Sequence, residues 1–281
     1  MQIEKNGTQS CEIEVNGEQF RYLQSGSGPP LLLLHGLLGG SFCWRFNIAA
    51  FSQRHTVLTL DFPGFGECDV PRQTDCSMEA QALRLSYLLE KLELGPVDVV
   101  GSSWGGAVAI LLAARSRKVR SMMLAAPVNP WSDFGAGRIA FLNGRLGKTL
   151  LRLAMPVSRP LHLTALQRMY GDPRRVSPGT VNGYSSRLLR PGRVHNILNT
   201  LSHWEKDITA LRKAIPQVKA RSLLIWGTRD GAVDLRSSEP LMRAMPECDR
   251  ALIEGAGHLP FEETPEEFNR LVLNFLARAK A

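Results

Sequence analysis

The sequence predicts an α/β fold: a doubly wound, mostly parallel sheet opened by an antiparallel hairpin and interrupted by a helical insertion. Three observations predict it. Short, mostly apolar runs recur along the 281 residues, of the kind carried by strands covered on both faces. Helical patterns lie between those runs. One long stretch, from about Trp131 to about Val218, breaks the alternation because it holds no strand-like run.

The elements follow in order. Residues 12–24 (EIEVNGEQFRYLQ) alternate apolar and polar around Asn16-Gly17, a pair that accepts the positive φ of a two-residue turn, so a hairpin comes first. Strand runs then appear as LLLL at 31–34, TVLTL at 56–60, VDVV at 97–100, SMMLAA at 121–126 and SLLIW at 222–226. The clearest helix covers 77–94, where Leu85, Leu88, Leu89 and Leu92 repeat at three and four residues until Gly95-Pro96 ends it. The last helix opens at Thr264-Pro265-Glu266-Glu267, read as a capping box with proline in the first turn. The insertion reads as helices such as GRLGKTLLRLAM and VHNILNTLSHWEKDITALRKAI, punctuated by Pro156, Pro160, Pro173, Pro178 and Pro191. A core of 1–130 and 219–281 with a separate helical unit at 131–218 is therefore expected.

Composition narrows the class. With 44% apolar and 21% charged residues the chain matches soluble globular proteins rather than disordered or fibrous ones. No apolar run is long enough to span a membrane, since LLLLHGLLGG is broken by His35 and glycines. The first residues carry no basic-then-apolar leader, so export is not expected. Five cysteines, an odd and scattered set without metal-ligand spacing, point to a reducing, cytoplasmic setting. The net charge of +8 is uneven: residues 131–217 hold fourteen Lys or Arg against four acids, a net of +10, leaving −2 for the remainder.

The stretch VDVVGSSWGGAVAI, residues 97–110, passes from a strand run directly into a helical one, with Ser102 and Ser103 at the junction. A side chain exposed on so sharp a turn tolerates only small neighbours two positions away on either side. Ser103 has Gly101 and Gly105 there, whereas Ser102 has Val100 and Trp104, so Ser103 is the candidate nucleophile. A serine hydroxyl needs a base, and the base an orienting acid. His258, in IEGAGHLPFEETPEEF, follows a short apolar stretch, and Asp230 follows SLLIWGTR. Both therefore sit on loops at the carboxyl edge of the sheet, where such folds keep their sites. Asp234 and Glu254, the latter inside a probable strand, are weaker candidates for the acid. Acyl attack also needs two donors for the oxyanion, for which the backbone N–H groups of Leu37 and Trp104 are the candidates, with Gly36 and Gly39 letting the first turn bend closely.

Together these residues resemble the α/β-hydrolase superfamily over nearly the whole chain. The superfamily's oxyanion turn resembles His35-Gly36, and its D-x-P-G-x-G loop resembles Asp61 to Gly66. Its elbow resembles Gly101 to Gly105, its W-G-x-x-D loop Trp226 to Asp230, and its G-x-G-H loop Gly255 to His258. Cys68 departs from the serine common in the loop after Asp61, with only a local effect expected. The resemblance implies that 131–218 forms a cap, or lid, over the site.

The resemblance does not choose the reaction. Relatives that act on epoxides or halides use an aspartate nucleophile, which Ser103 argues against, and HGLLGG lacks the H-G-G-P-G turn of proline iminopeptidases. Carboxylic ester hydrolysis requires only the residues named, without cofactor or metal, and is the reading adopted. Carbon–carbon bond hydrolysis, cofactor-free lyase chemistry, thioester or carrier-protein ester cleavage, and a silent ligand-binding relative are the alternatives. Phe134, Phe141, Leu142, Leu146, Leu150, Leu151, Leu153 and Met155 of the insertion favour an apolar acyl or aryl group. The basic insertion suits an acidic partner, an acyl carrier protein or anionic surface, while nucleic acid is not expected because no binding motif accompanies the charge.

Overall fold

The strand runs assemble into one sheet whose described strands number nine, in the order β1-β2-β3-β5-β4-β6-β7-β8-β9. This computed structural model describes residues 2–3, 8–132, 136–154 and 159–278. β1 (Gln2–Ile3), β2 (Gln9–Val15) and β3 (Glu18–Ser25) are antiparallel, and Asn16 and Gly17 make the turn between the last two at φ 52° and 80°. β3 pairs antiparallel with β5 (Thr56–Asp61). From β5 the sheet is parallel, through β4 (Pro30–Leu34), β6 (Val97–Ser102), β7 (Val119–Ala125), β8 (Arg221–Gly227) and β9 (Cys248–Ile253).

Each predicted run overlaps a strand almost throughout, and the strands reach further than the runs. Hydrogen bonding carries polar residues such as Arg221 and Asp61 into the ladder, where a hydrophobic criterion does not register them. The leucine run is explained by its two faces. Leu31 and Leu33 enter one apolar cluster while Leu32 and Leu34 enter the other, so every residue of the run is buried.

Helices α1 (Ile48–Phe51), α2 (Met78–Lys91) and α3 (Ser103–Arg115) occupy the first crossovers. α3 is buried from Trp104 to Ala113, which its small residues permit. Between β7 and β8 the described residues form α4 (Ala136–Asn143), α5 (Arg145–Ala154), α6 (Arg159–Met169), α7 (Pro178–Leu188), α8 (Arg193–Ser202) and α9 (Trp204–Ala214). α10 (Ser238–Ala244), α11 (Pro260–Glu263) and α12 (Pro265–Arg278) complete the chain. The Thr264 hydroxyl, expected in a capping box, donates 3.1 Å back to the Pro260 carbonyl instead.

The inserted helices grip the core through polar pairs. Arg193 of α8 donates to the Gly64 and Gly66 carbonyls at 3.0 Å each, and Asn196 donates to Gly64 at 2.8 Å. Asp207 of α9 accepts the Met78 N–H at 2.9 Å and so supplements Ser77, whose hydroxyl accepts from Ala80 at the start of α2. Burial pushes the Asp207 carboxyl up to about 6.

Leu85 of α2 is fully buried in the core cluster. Leu85→Ala should therefore cost about 2–5 kcal/mol of unfolding free energy, read from urea titration, without altering the chemistry at Ser103.

Candidate active site

Ser103 is the first residue of α3 and has φ 52°, a left-handed backbone that few non-glycine residues adopt. The turn is that sharp because β6 delivers the chain from the sheet plane directly into a buried helix. A Cβ on Gly105 would stand 2.3 Å from the His35 carbonyl oxygen, so no larger residue fits there. Ser103 is half-buried, whereas Ser102 is completely buried and its hydroxyl has no hydrogen-bond partner. Of the two serines, only Ser103 is open to a reactant.

The loop after β8 carries Asp230, closed by a 3.0 Å hydrogen bond from Trp226 Nε1 to the Val233 carbonyl. Asp230 Oδ1 accepts the Ala232 and Val233 N–H groups at 2.7 and 2.9 Å, and Oδ2 lies 2.9 Å from His258 Nδ1. Both side chains are buried. This pairing places the Nδ1 proton toward Asp230 and leaves Nε2 as the candidate base. Asp234 turns away, pairing with Arg236 and capping a short helical turn. Glu254 lies exposed in the turn after β9, one residue beyond the strand in which it was expected.

Gly36 lies beside Ser103, since a Cβ on it would stand 3.4 Å from the Ser103 Cβ. That contact sets the turn bearing Leu37 against the first turn of α3, where Trp104 N–H lacks an intrahelical acceptor. His35, fully buried beneath, braces this turn. Its Nε2 accepts the Phe62 N–H at 3.2 Å and its Nδ1 lies 2.8 Å from the Gly36 carbonyl, a pattern only the neutral Nδ1–H ring satisfies. Burial accordingly lowers its pKa from 6.5. Asp61 holds the neighbouring loop by accepting the Ser41 and Glu67 N–H groups at 2.5 and 3.1 Å. Cys68 is buried, donates to the Gln19 carbonyl, and has its thiol pushed up to about 11 by burial, which keeps it protonated.

Two carboxylates that sequence reasoning missed follow His258. Glu263 accepts three N–H groups: Gly257, just before His258, at 2.8 Å, Gly171 at 3.0 Å and Asp172 at 2.8 Å. Its partners thus join the His258 loop to the end of α6. The backbones meet so closely that a Cβ on Gly257 would stand 2.3 Å from the Met169 carbonyl oxygen. The His258 N–H itself donates to that carbonyl at 2.6 Å. Beside it the fully buried Glu262 side chain pairs with Arg45 at 2.7 Å and accepts the Tyr170 and Tyr184 hydroxyls. Burial raises its pKa against the opposing pull of Arg45. In the sequence these two acids sit in an acid-rich run ahead of the last helix, which resembles solvated surface.

The apolar residues of the insertion divide. Leu142 and Leu151 pack on the core cluster that contains Trp104, whereas Phe141, Leu146, Leu150 and Leu153 are exposed. Phe134 and Met155 lie outside the described residues.

The model of the alpha/beta hydrolase family matches residues 31–271, most of the chain. A protein of Burkholderia vietnamiensis named 2-hydroxy-6-oxononadienedioate/2-hydroxy-6-oxononatrienedioate hydrolase is 29% identical over 95% of this chain and 94% of its own. Lipase 1 of Psychrobacter immobilis is 28% identical over 90% and 79%. The solved structure of a meta-cleavage product hydrolase from Pseudomonas fluorescens superposes with TM-score 0.82 at 25% identity, covering 96% of this chain and 98% of that one.

Glu263→Ala strips an acceptor from three N–H groups and should cost about 2–4 kcal/mol in urea unfolding, with Glu263→Gln clearly milder because it keeps one oxygen. His35 carries a pH signature. The unfolded chain protonates near its ordinary 6.5 while the folded ring resists, so its contribution to stability is full above that pH and is lost as pH falls further. The stability gap between the wild type and His35→Asn should therefore shrink between pH 7.5 and pH 5, as read from unfolding midpoints.

Proposed function

The chain belongs to the alpha/beta hydrolase family, and we propose that it is a serine hydrolase cleaving a carboxylic ester through an acyl-enzyme intermediate. The observation that carries the reading is Ser103, half-buried at φ 52° on the β6–α3 junction and beside Gly36. In this mechanism the Ser103 hydroxyl attacks the acyl carbon while His258 Nε2 takes its proton. Asp230 fixes the tautomer and steadies the imidazolium that forms. The N–H groups of Leu37 and Trp104 hold the oxyanion. His258 then returns the proton to the leaving alcohol, and the same base activates water to release the acid. No cofactor or metal takes part.

The proposal includes residues 131–218 as a cap over this site and a mainly apolar acyl or aryl group on the substrate. Its support is that Leu37, Leu38, Trp131, Leu142 and Leu151 pack on one cluster with Trp104. It also includes the cytoplasm, whose reducing conditions suit five free cysteines. Carbon–carbon bond hydrolysis is the second reading, favoured by the relative of nearly equal length named a hydrolase of 2-hydroxy-6-oxononadienedioate and by the meta-cleavage product hydrolase of similar structure.

Ser103→Ala and His258→Ala should each lower ester turnover by roughly ten-thousandfold, with Asp230→Asn severely impaired. Asp234→Asn should stay near wild type, because Asp234 serves Arg236, and Ser102→Ala likewise, because its hydroxyl has no partner. The reading fails if Ser103→Ala retains a tenth of the wild-type rate. Labelling of Ser103 by a fluorophosphonate separates an enzyme from a silent ligand-binding relative. Screening p-nitrophenyl esters from acetate to palmitate, thioesters and a ring-cleavage dienoate then chooses the bond.

A further inference from the structure

α5 sorts its side chains into three sectors. Gly147 and Leu151 face inward, the first buried and the second packed on the core cluster. Arg145, Lys148, Thr149 and Arg152 form a polar sector. Leu146, Leu150 and Leu153, spaced at i, i+4 and i+7, form a stripe that is 65%, 48% and 66% exposed. Phe141, on the preceding α4, is half exposed as well. Single exposed leucines are ordinary on a folded protein, but a contiguous stripe marks a contact surface. The basic sector of the same helix leads into a groove of about 660 Å³, lined among others by Arg72, Arg152, Leu189, Arg190 and His195. Arg152 thus borders both the apolar helix and the groove.

We propose that α5 and the rim of this groove dock the protein on an anionic bilayer, with the leucine stripe entering the acyl layer and Arg145, Lys148 and Arg152 meeting lipid phosphates. The arrangement of the helix carries the choice of occupant. A bilayer offers an apolar layer directly beneath a layer of negative charge, the order in which α5 displays its leucines beside Arg145, Lys148 and Arg152. A second copy would bring Arg145, Lys148 and Arg152 of α5 against the same three cations. Docking is independent of the reaction at Ser103.

The test is sedimentation of the purified full chain with vesicles of phosphatidylcholine alone or of equal parts phosphatidylcholine and phosphatidylglycerol. The wild type and Ser103→Ala should partition equally well, about tenfold or more in favour of the anionic vesicles, with the preference falling as salt rises. Leu150→Glu with Leu153→Glu should weaken that partition about tenfold or more, given the apolar area withdrawn. Arg145→Gln with Arg152→Gln should erode the anionic preference specifically, and thermal melts like that of the wild type establish that both variants fold. Equal partition onto both vesicle types, or no effect of the leucine variant, overturns the proposal. So does a lipid-free dimer that the leucine variant dissociates, which would give the stripe to a second copy. Vesicle binding that persists when Ser103 proves unreactive supports docking while removing the hydrolase reading, so the two fail separately.

Discussion

The left-handed backbone of Ser103 is the constraint on which the rest of the structure depends. A non-glycine residue at φ 52° costs on the order of 1–3 kcal/mol and persists only where its surroundings over-determine it. Those surroundings are the middle of the sheet. β6 is clamped between β4 and β7, α3 is buried from Trp104 to Ala113, and the Val128 N–H fixes the Ser103 carbonyl at 3.1 Å. Gly101 and Gly105 make the geometry sterically attainable, and the hydrophobic core makes it affordable.

Around that fixed point, buried polar groups align the remaining parts of the site. Neutral His35 ties the turn bearing Leu37 to the loop after β5, and Arg193 of the insertion grips the same loop from the other side. Glu263 ties the His258 loop to α6 in the same manner. The inserted helices therefore do more than lie beside the core, because their polar ties end on the backbone of the loops carrying the candidate machinery. A shift of α6 would be felt at His258 through the Met169 carbonyl and through Glu263.

What was legible in the sequence was local. Neighbour size separated Ser103 from Ser102, and turn chemistry marked Asn16-Gly17. Asp230 was placed on the loop leaving the SLLIW run, with Asp234 four residues further on, and it is Asp230 whose carboxylate lies against His258. What was illegible was pairing at long range. Glu262 finds Arg45 and Tyr184, more than two hundred and nearly eighty residues away, and nothing near Glu262 in the chain distinguishes it from a solvated acid. The sign of a helix face was equally hidden. Periodicity shows that α5 is amphipathic, but its leucines fall on two sectors, and only packing reveals that Leu151 turns inward while Leu150 turns outward.

The basic excess of the insertion also divides once the fold is known. Arg187 reaches Glu67, Arg190 and Arg193 reach Asp69, and Lys206 lies 3.9 Å from Glu79, so these cations answer carboxylates of the core. Their role is to attach the inserted helices, and the slightly negative core is what they attach to. Arg145 and Arg152 on α5 stand exposed beside the leucine stripe instead. A single compositional bias thus serves two ends, cohesion on α7 to α9 and an outward-facing basic surface on α5. The overall charge of the segment does not separate them, because it sums cations already neutralised with cations that face the solvent.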